Sequence, residues 1–198
     1  MNEFKTHRRR IGLFGGSFNP AHNGHLEISQ AALKTCGLNE IWWLVSPQNP
    51  LKTTKDMDLF SSRVESVRAL IGTHPRIKIK TIEKDLGISY SVETIRYLTR
   101  RYHNCSFLWV MGADNLLHIH EWKEWQTIFR TLPIVIFDRP GYTYRALKAK
   151  AAQSFSKDRR AESHCKMLVK EKAPAWLYLH GRLNPISATA IRLGRKKV

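Results

Sequence analysis

The chain has 198 residues, of which 42% are hydrophobic and 25% are charged, so it can bury a sizeable core and most simply forms one globular domain. No apolar run approaches the roughly 20 residues of a membrane-spanning helix, and the basic N-terminus has no apolar signal core behind it, which excludes a membrane protein and argues against secretion. The 33 Lys and Arg residues outnumber the 16 Asp and Glu residues, and the net charge of +17 favours anionic partners, from nucleotides to nucleic acid.

Two further features of the composition concern the setting of the protein. The basic residues are spread along the chain, so a merely solvated basic surface stays open as an alternative to anion binding. Cys36, Cys105 and Cys165 are odd in number, lie far apart in sequence and show no metal-ligand spacing. They suit a reducing compartment better than a disulfide framework, and we expect a cytoplasmic protein.

The first predicted unit is a strand, a glycine turn and a helix. A short apolar run indicates a buried strand, which Gly15 and Gly16 are expected to break because glycine takes positive φ freely. A helix is predicted to begin near His22 or Asn23, and its first N–H groups and positive dipole end favour an anion. His22 and His25 are three residues apart and share one face of its first turn. The unit therefore predicts phosphate chemistry.

Strands and helices alternate along the rest of the chain. Apolar runs predict strands at 40–46, 76–82, 106–111, 133–137 and 175–180, the second of them at a sheet edge or half exposed. Helical spacing predicts helices at 59–71, 89–98 and 116–129, and a short helix within 184–193. Asp58 or Ser61 is expected to cap the helix at 59–71, and polar residues the helix at 89–98. The basic stretch 144–172 is expected to be helical in part.

This alternation predicts an α/β fold: a single Rossmann-like, doubly wound, mainly parallel sheet with helices on both faces. We expect one domain over 1–198, with its core at about 10–140 plus 175–195 and an uncertain basic segment at 142–175. Ligands of such sheets lie beyond the carboxyl ends of the strands, where the strand order reverses. With the order 3-2-1-4-5, the loops at 15–25 and 112–114 would flank that point.

The opening stretch matches neither the dinucleotide-binding fingerprint nor a P-loop. Instead the pattern Gly16-x-Phe18-x-Pro20-x-His22-x-Gly-His25 resembles the H-x-G-H signature of the nucleotidyltransferase superfamily, which shares its architecture with the class I aminoacyl-tRNA synthetases. The alternative is two structural histidines at the start of a helix.

A second motif lies near the far end, at 186–192. It resembles the I-S-[ST]-T-x-[IV]-R motif of the same superfamily, which closes over the triphosphate. Hydroxyls, helix N-terminal amides and a guanidinium all suit phosphate oxygens. Alone, this segment would be a helix cap followed by an ordinary surface arginine, Arg192.

Further matches resemble the bacterial nicotinate-nucleotide adenylyltransferases. They span residues 11 to 192 and comprise 15–20, 50–52, 89–94, 112–114, Trp122 and 139–141. Three positions depart from that family's pattern: Lys123 follows the tryptophan where an aromatic residue is common, and Ser91 and Glu93 replace Thr and Asp.

The resemblance implies adenylyl transfer from ATP to nicotinate mononucleotide, which gives deamido-NAD+ and pyrophosphate. It implies Mg2+ as Mg–ATP, held mainly by phosphates, and no metal site on the protein itself. The implied catalytic residues are His22, His25, Lys52 and Arg192. The implied ATP-binding residues are Gly15, Gly16, Ser17, Phe18, His22, His25, Asp114, Ile186, Ser187, Thr189 and Arg192. The implied acceptor-binding residues are Asn19, Lys52, Ser89, Tyr90, Thr94, Trp122 and Arg139.

Alternatives stay open for single residues. Lys52 and Arg139 could be surface charges, Asp114 could cap a helix, and Trp122 could be core together with Trp125. His118 and His120 are expected to be surface or core residues rather than metal ligands.

Alternatives also stay open for the function. The acceptor could be nicotinamide mononucleotide or phosphopantetheine, and the charge allows a nucleic-acid-binding module, although no RNA-binding motif or recognition helix is visible. The sequence leaves monomer and homo-oligomer undecided.

Overall fold

The computed structural model describes residues 8–47 and 57–181, together with Ile191, Arg192 and Gly194. Six strands form one sheet with the order β3-β2-β1-β4-β5-β6, and all five neighbouring pairs are parallel. The strands are β1 Arg9–Gly16, β2 Glu40–Val45, β3 Ile77–Lys80, β4 Cys105–Gly112, β5 Ile134–Phe137 and β6 Trp176–Leu179. The predicted order of the first five strands and the edge position of β3 are confirmed.

Helices in the described residues connect these strands. They are α1 Asn23–Thr35, α2 Phe60–Ile71, α3 Ile82–Asp85, α4 Ser91–Arg101, α5 Ala113–His118, α6 Trp125–Thr131, α7 Thr143–Leu147, α8 Lys150–Ser154 and α9 Cys165–Leu168. None of them is long and apolar enough to cross a bilayer.

Core clusters cover both faces of the sheet because successive strand residues point to opposite sides. Leu13 and Trp109 pack in one cluster, with residues of α4, α5, α6 and α8. Phe14 and Val110 pack in the other, with residues of α1, α2 and α9. The predicted α/β fold with helices on both faces is therefore confirmed.

The predicted helix at 116–129 is wrong as a single element. Helix α5 passes into a 3₁₀ turn at Ile119–Glu121, and α6 begins only at Trp125. Between them, Glu124 takes the left-handed conformation with φ 48°, which a continuous helix does not allow. The break turns Trp122 away from the helical register that its spacing from Trp125 suggested.

The predicted helix caps are also wrong. Helix α2 follows Leu59, and neither it nor α4 has a side-chain hydrogen bond at its cap. Helix α4 follows Tyr90, so its capping position is aromatic rather than Ser or Thr. Both helices bury an apolar face, and that packing stabilises them without a polar cap.

The basic segment between β5 and β6 contains the short helices α7, α8 and α9. Ala151 and Phe155 pack in the core cluster on one face of the sheet, whereas Cys165 and Leu168 pack in the cluster on the other face. The segment therefore runs around the edge of the sheet next to β6. Helices of four or five residues are too short to show a 3.6-residue period, which explains its weak sequence pattern.

Candidate active site

The site lies at the carboxyl ends of the strands, where the strand order reverses between β1 and β4. The loop after β1 leads to His22, helix α5 with Asp114 follows β4, and Arg139 follows β5. The topology thus brings together the first motif and Asp114, as the sequence predicted.

Gly15 and Gly16 have a different role from the predicted one. They continue β1, pair with Leu44 and Val45 of β2, and are not among the residues with positive φ. A Cβ at Gly15 would lie 3.0 Å from the Trp109 ring. A Cβ at Gly16 would lie 3.3 Å from the Phe18 ring, so both glycines make room for aromatic side chains. The expected break of the strand at Gly15 is wrong.

The positive φ falls on Phe18, at 47°. This strained conformation is held by packing: the Phe18 ring is buried and stacks on Trp43 with centroids 4.7 Å apart and planes 6° apart. Its ring also meets His25 in an edge contact at 5.0 Å. Phe18 therefore acts from beneath the site, as a support for the His25 imidazole.

His22 and His25 lie side by side at the start of α1, with ring centroids 3.8 Å apart. The main-chain N–H of His22 donates to Nδ1 of His25 at 3.2 Å, and the N–H of His25 donates to the His22 carbonyl at 2.9 Å. Because Nδ1 of His25 accepts a hydrogen bond, its neutral ring carries the proton on Nε2. In that tautomer the donor of the His25 ring is its Nε2–H.

The His22 imidazole is buried in the site. Its Nδ1 lacks a hydrogen bond of normal geometry from any described residue. Burial and, after it, the positive charge of Arg139 lower the pKa of His22 to about 4, although the negative charges of Asp114 and Glu27 partly oppose them. His22 is therefore neutral at pH 7, and its unpaired polar atom marks a place for a polar ligand.

Asp114, in the first turn of α5, and Arg139, in the loop after β5, form an ion pair with Oδ2 and Nη1 2.6 Å apart. Asp114 makes no side-chain capping bond at the start of α5, so the helix-cap alternative is not supported. A Cβ at Gly112 would lie 2.5 Å from Asp114 Oδ1, so a larger residue there would displace the carboxylate. The pair joins a residue of the implied ATP set to one of the implied acceptor set.

Asp138 fixes the main chain beside Arg139. Its Oδ1 accepts hydrogen bonds from Tyr178, from Thr143 at 2.7 Å and from the N–H of Arg139 at 2.7 Å. Burial alone would raise the pKa of Asp138, but these hydrogen bonds hold it below its usual value. The carboxylate is thus ionised and fully engaged as an anchor.

The two distant sequence motifs meet at Asn19. Arg192 donates from Nη1 to the main-chain oxygen of Asn19, and the Asn19 side chain accepts from the N–H of Asp58 at 3.2 Å. The contact places the guanidinium next to the loop after β1. Lys52, Ile186, Ser187 and Thr189 lie outside the described residues.

Arg63 belongs to this site and was missed by the sequence interpretation. Arg63 is 1% exposed. Its terminal nitrogens donate to the main-chain carbonyls of Ser17 at 2.6 Å, Ser46 at 2.8 Å and Pro47 at 2.6 Å. Its Nε donates to the main-chain carbonyl of Asp58 at 3.1 Å. It therefore fastens the loop after β1 to the end of β2. Its spacing of four from the buried Val67 was the signal that could have placed it on the inner face of α2.

Four of the implied acceptor residues, Ser89, Tyr90, Thr94 and Trp122, come from two adjoining segments. Lys123 of the 122–124 turn contacts Glu93 of α4 at 3.0 Å and lies 4.2 Å from the centroid of the Tyr90 ring. Two departures from the family pattern, Lys123 and Glu93, are thus partners. Trp122 is partly buried and packs against the core cluster that contains Trp125, and its implied contact with the acceptor stays a prediction.

Ser89 and Thr94 have opposite environments. Ser89 is exposed, but Thr94 is fully buried and its hydroxyl donates to Glu83 at 2.9 Å. Burial raises the pKa of Glu83 to about 7, although the bond from Thr94 opposes the rise. The Thr94 hydroxyl therefore supports the segment from below, and its implied contact with the acceptor stays a prediction.

The described residues contain no group of three or more His, Cys, Asp and Glu side chains that could hold a metal ion. His118 is exposed and contacts Glu121 at 3.1 Å. What the site does offer is imidazole donors, main-chain N–H groups and guanidinium groups, which suit phosphate oxygens. Fold and site together define an α/β nucleotidyltransferase of the H-x-G-H type.

Comparison with known proteins agrees with this class. The model of the cytidylyltransferase-like family matches residues 13–194. A probable nicotinate-nucleotide adenylyltransferase of Agrobacterium fabrum is 42% identical over 186 residues, which cover 94% of this chain and 99% of that protein. One of Methylorubrum extorquens is 44% identical over 183 residues, 92% of this chain and 98% of that protein. The chain belongs to the cytidylyltransferase-like family, in its nicotinate-nucleotide adenylyltransferase branch.

A solved structure has the same fold. Nicotinic acid mononucleotide adenylyltransferase of Plasmodium falciparum, complexed with NaAD, superposes with a TM-score of 0.69 at 17% identity, over 92% of this chain and 82% of that one.

Proposed function

We propose that this protein transfers the adenylyl group of ATP to nicotinate mononucleotide and releases deamido-NAD+ and pyrophosphate. The observation that carries the proposal is the His22–His25 pair, one ring of which is buried and neutral beside an ion pair at the strand switch point. The names of the relatives that align over nearly the whole chain support the same acceptor.

The reaction needs no protein nucleophile. An oxygen of the mononucleotide phosphate forms a bond to the α-phosphorus of ATP, the bond from that phosphorus to the bridging oxygen breaks, and pyrophosphate leaves with the electron pair. Catalysis then consists of aligning two anions and stabilising the charge that develops on the leaving group.

Imidazole N–H groups suit this task. Nε2–H of His25 and the single N–H of His22 donate hydrogen bonds to phosphate oxygens without a proton transfer. The N-terminus of α1 adds main-chain N–H groups, and Ser17 Oγ, which has no partner among the described residues, can add another donor. Each donor stabilises the transition state more than the ground state when it is aimed at the oxygens that gain charge.

The side chains of the site would contact different parts of the two substrates. Arg192 at the Asn19 carbonyl and Lys52 in the loop after β2 would face the triphosphate, with Ile186, Ser187 and Thr189 closing over it. Asp114 would contact the ribose hydroxyls of ATP, and Arg139, which it orients, would face the acceptor. Trp122, Ser89 and Tyr90 would line the pyridine pocket.

Magnesium would enter as part of the substrate Mg–ATP. Asp114 brings a carboxylate to the site, but its Oδ2 is bonded to Arg139, so the described residues fit a cation carried by phosphates better than a protein cage. Bound in this way, Mg2+ supplies charge neutralisation of the β- and γ-phosphates.

We also propose that the chain works as one catalytic domain. We propose the cytoplasm as its location, because ATP and mononucleotides are present there.

The test is identification of the product by mass spectrometry. The purified protein is incubated with Mg–ATP and, in parallel, nicotinate mononucleotide, nicotinamide mononucleotide or phosphopantetheine. We expect deamido-NAD+ to form with at least tenfold preference over the amide product, because one pocket must distinguish a carboxylate from an amide. Equal turnover of both mononucleotides would contradict the proposal that nicotinate mononucleotide is the preferred acceptor. Absence of any adenylylated product would contradict the proposed adenylyl transfer.

A further inference from the structure

Two cysteines that are 129 positions apart in sequence touch in the fold. Cys36 Sγ and Cys165 Sγ are 2.6 Å apart, and both side chains are buried, with exposures of 0% and 5%. Cys36 follows the last residue of α1, and Cys165 is the first residue of α9 in the basic segment between β5 and β6. The sequence, in which the three cysteines are widely separated, predicted no such pair.

The polar surroundings make the two thiols unequal. The hydrogen bond from Cys36 lowers the pKa of Cys165, whereas the same bond, together with burial, raises the pKa of Cys36. Thr35 Oγ1 lies 3.6 Å from Cys36 Sγ and 3.8 Å from Cys165 Sγ, but its own proton is given to the Ala31 carbonyl at 2.8 Å. We therefore assign the first ionisation to Cys165, the less buried of the two thiols, with Cys36 donating to its sulfur.

We propose that Cys36 and Cys165 form a dithiol modification site, which a peroxide converts into an intramolecular disulfide. The Cys165 thiolate attacks one oxygen of hydrogen peroxide, the O–O bond breaks, and the leaving hydroxide takes up a proton to become water. Cys36 then attacks the resulting sulfenic acid, the S–S bond forms, and the S–O bond breaks to release a second water. Two thiols lose two electrons and two protons, and one peroxide becomes two waters.

Access and reach both favour this reaction. Cys165 is the less buried of the two, at 5% against 0%, and its chain neighbours His164 and Lys166 are exposed, so a small peroxide would approach from the side of α9. Cys36 is in contact already, so the second step needs no rearrangement of the core. The sulfenic acid at Cys165 is therefore consumed by Cys36 before it is oxidised further.

The disulfide would join α1 to the segment that the sequence patterning left uninterpreted. The bond closes a loop of 129 residues, and such a long cross-link strongly restricts the unfolded chain. Its expected effect is an increase in thermal stability. Helix α1 separates Cys36 from His25 by about 16 Å and from His22 by about 21 Å, so the site stays unchanged.

The experiment uses the full chain, reduced with dithiothreitol, transferred to anaerobic buffer and treated with one equivalent of hydrogen peroxide. Trypsin places the three cysteines in separate peptides, at 35–52, 102–123 and 161–166. We expect thiol titration to fall from three groups to one, and non-reducing mass spectrometry to find 35–52 joined to 161–166 with the loss of two hydrogens. The melting temperature should rise by about 10 °C and return to its starting value after reduction.

Cys105 is the internal control. Cys105→Ser should keep both the cross-link and the thermal shift, whereas Cys36→Ser should lose both. If Cys36→Ser fails to fold, the peptide map of the wild-type protein still decides the matter. Three titratable thiols after treatment, a link that involves 102–123, or sulfinic acid at Cys165 without a cross-link would overturn the proposal.

Discussion

Arg63 and Arg76 make similar hydrogen bonds to main-chain carbonyls at opposite ends of β2. The residues around each arginine show which end belongs to the candidate site. At the carboxyl end, the buried Arg63 donates to the carbonyls of Ser17, Ser46 and Pro47. At the amino end, the exposed Arg76 donates to the carbonyls of Leu33 at 3.2 Å, Leu38 at 3.0 Å and Asn39 at 3.2 Å. Both fasten loops to the sheet through main-chain oxygens.

The difference lies in what surrounds each arginine. Beside Arg63, the loop after β1 holds two buried polar atoms, Ser17 Oγ and His22 Nδ1, that make no hydrogen bond of normal geometry with a described residue. None of the described atoms of that kind belongs to the loops around Arg76. Unpaired buried polar groups cost free energy, so a fold retains them where a ligand completes them. The same fastening device therefore secures a binding site at one end and only the fold at the other.

The largest expected effect comes from the histidines. His22→Ala or His25→Ala should lower kcat by about 10²–10³-fold, because each removes a donor to the phosphates in the transition state. Steady-state kinetics with Mg–ATP and nicotinate mononucleotide measure it. The matched control is His74→Ala at the amino end, where Nδ1 of His74 accepts from the Arg76 N–H at 3.3 Å, and it should keep full turnover. Near-normal turnover of both site variants would remove the contrast between the two ends.

The arginines themselves come next. Arg63→Met removes the hydrogen-bond donor from four main-chain carbonyls, those of Ser17, Ser46, Pro47 and Asp58, and should lower the free energy of unfolding by about 3 kcal/mol. It should also lower kcat/KM for ATP by up to about 10²-fold, because the loop after β1 loses its support. Arg76→Met should change stability by less than about 1 kcal/mol and leave kcat/KM unchanged. Urea unfolding and kinetics on both variants test this, and equal losses of kcat/KM would contradict a special role for Arg63.

Glu83, in helix α3 after the carboxyl end of β3, gives a prediction of how the stability of the protein depends on pH. Its pKa is about 7 in the fold and near 4.5 when unfolded, so the folded state binds more protons between these values and stability falls as pH rises from 4.5 through 7. Glu83→Gln should abolish this loss, worth up to about 3 kcal/mol at pH 8 relative to pH 4.5. Urea unfolding at several pH values measures it.

Thr94→Val provides the check on Glu83. The bond from Thr94 lowers the pKa of Glu83, so removing it should raise that pKa and move the fall in stability to higher pH. Identical pH profiles for the wild type and Glu83→Gln would show that Glu83 is not the titrating group.

The smallest effect is expected at Gly112. A Cβ there would lie 2.5 Å from Asp114 Oδ1, so Gly112→Ala should displace the carboxylate from Arg139 and lower kcat/KM about tenfold, which corresponds to roughly 1.4 kcal/mol. Gly181→Ala, where a Cβ would meet no atom within 4 Å, is the control. Unchanged kinetics of Gly112→Ala would mean that the Asp114–Arg139 pair does not orient a substrate.

Much of the fold could be predicted because its elements have strong local patterns. Apolar runs located all six strands, and their alternation with helices indicated the parallel sheet and its switch point. The failures have local causes too. The left-handed Glu124 interrupts a stretch of helical composition, and α2 and α4 begin without the polar caps that their sequences offered. In each place tertiary packing outweighed a weak local preference.

The residues of the candidate site also divide into those that the sequence predicted and those that it did not. His22, His25, Asp114, Arg139 and Arg192 were found from motifs, because phosphate chemistry needs particular residue types at fixed spacing. Arg63 was not found, because an arginine inside an amphipathic helix looks like any surface charge until its carbonyl partners from other elements are known. The Glu83–Thr94 bond and the Cys36–Cys165 contact were missed for the same reason.

The strand, glycine pair and helix at the start of the chain show what the sequence determines and what the tertiary structure decides. The sequence by itself determined that a helix N-terminus with two histidines follows a buried strand, because these depend on neighbouring residues. Only the tertiary structure decided that the glycines make room for Trp109 and Phe18, that Phe18 carries the strain and supports His25, and that burial beside Arg139 keeps His22 neutral. Such properties depend on atoms distant in sequence, and packing and desolvation exist only once the chain has folded.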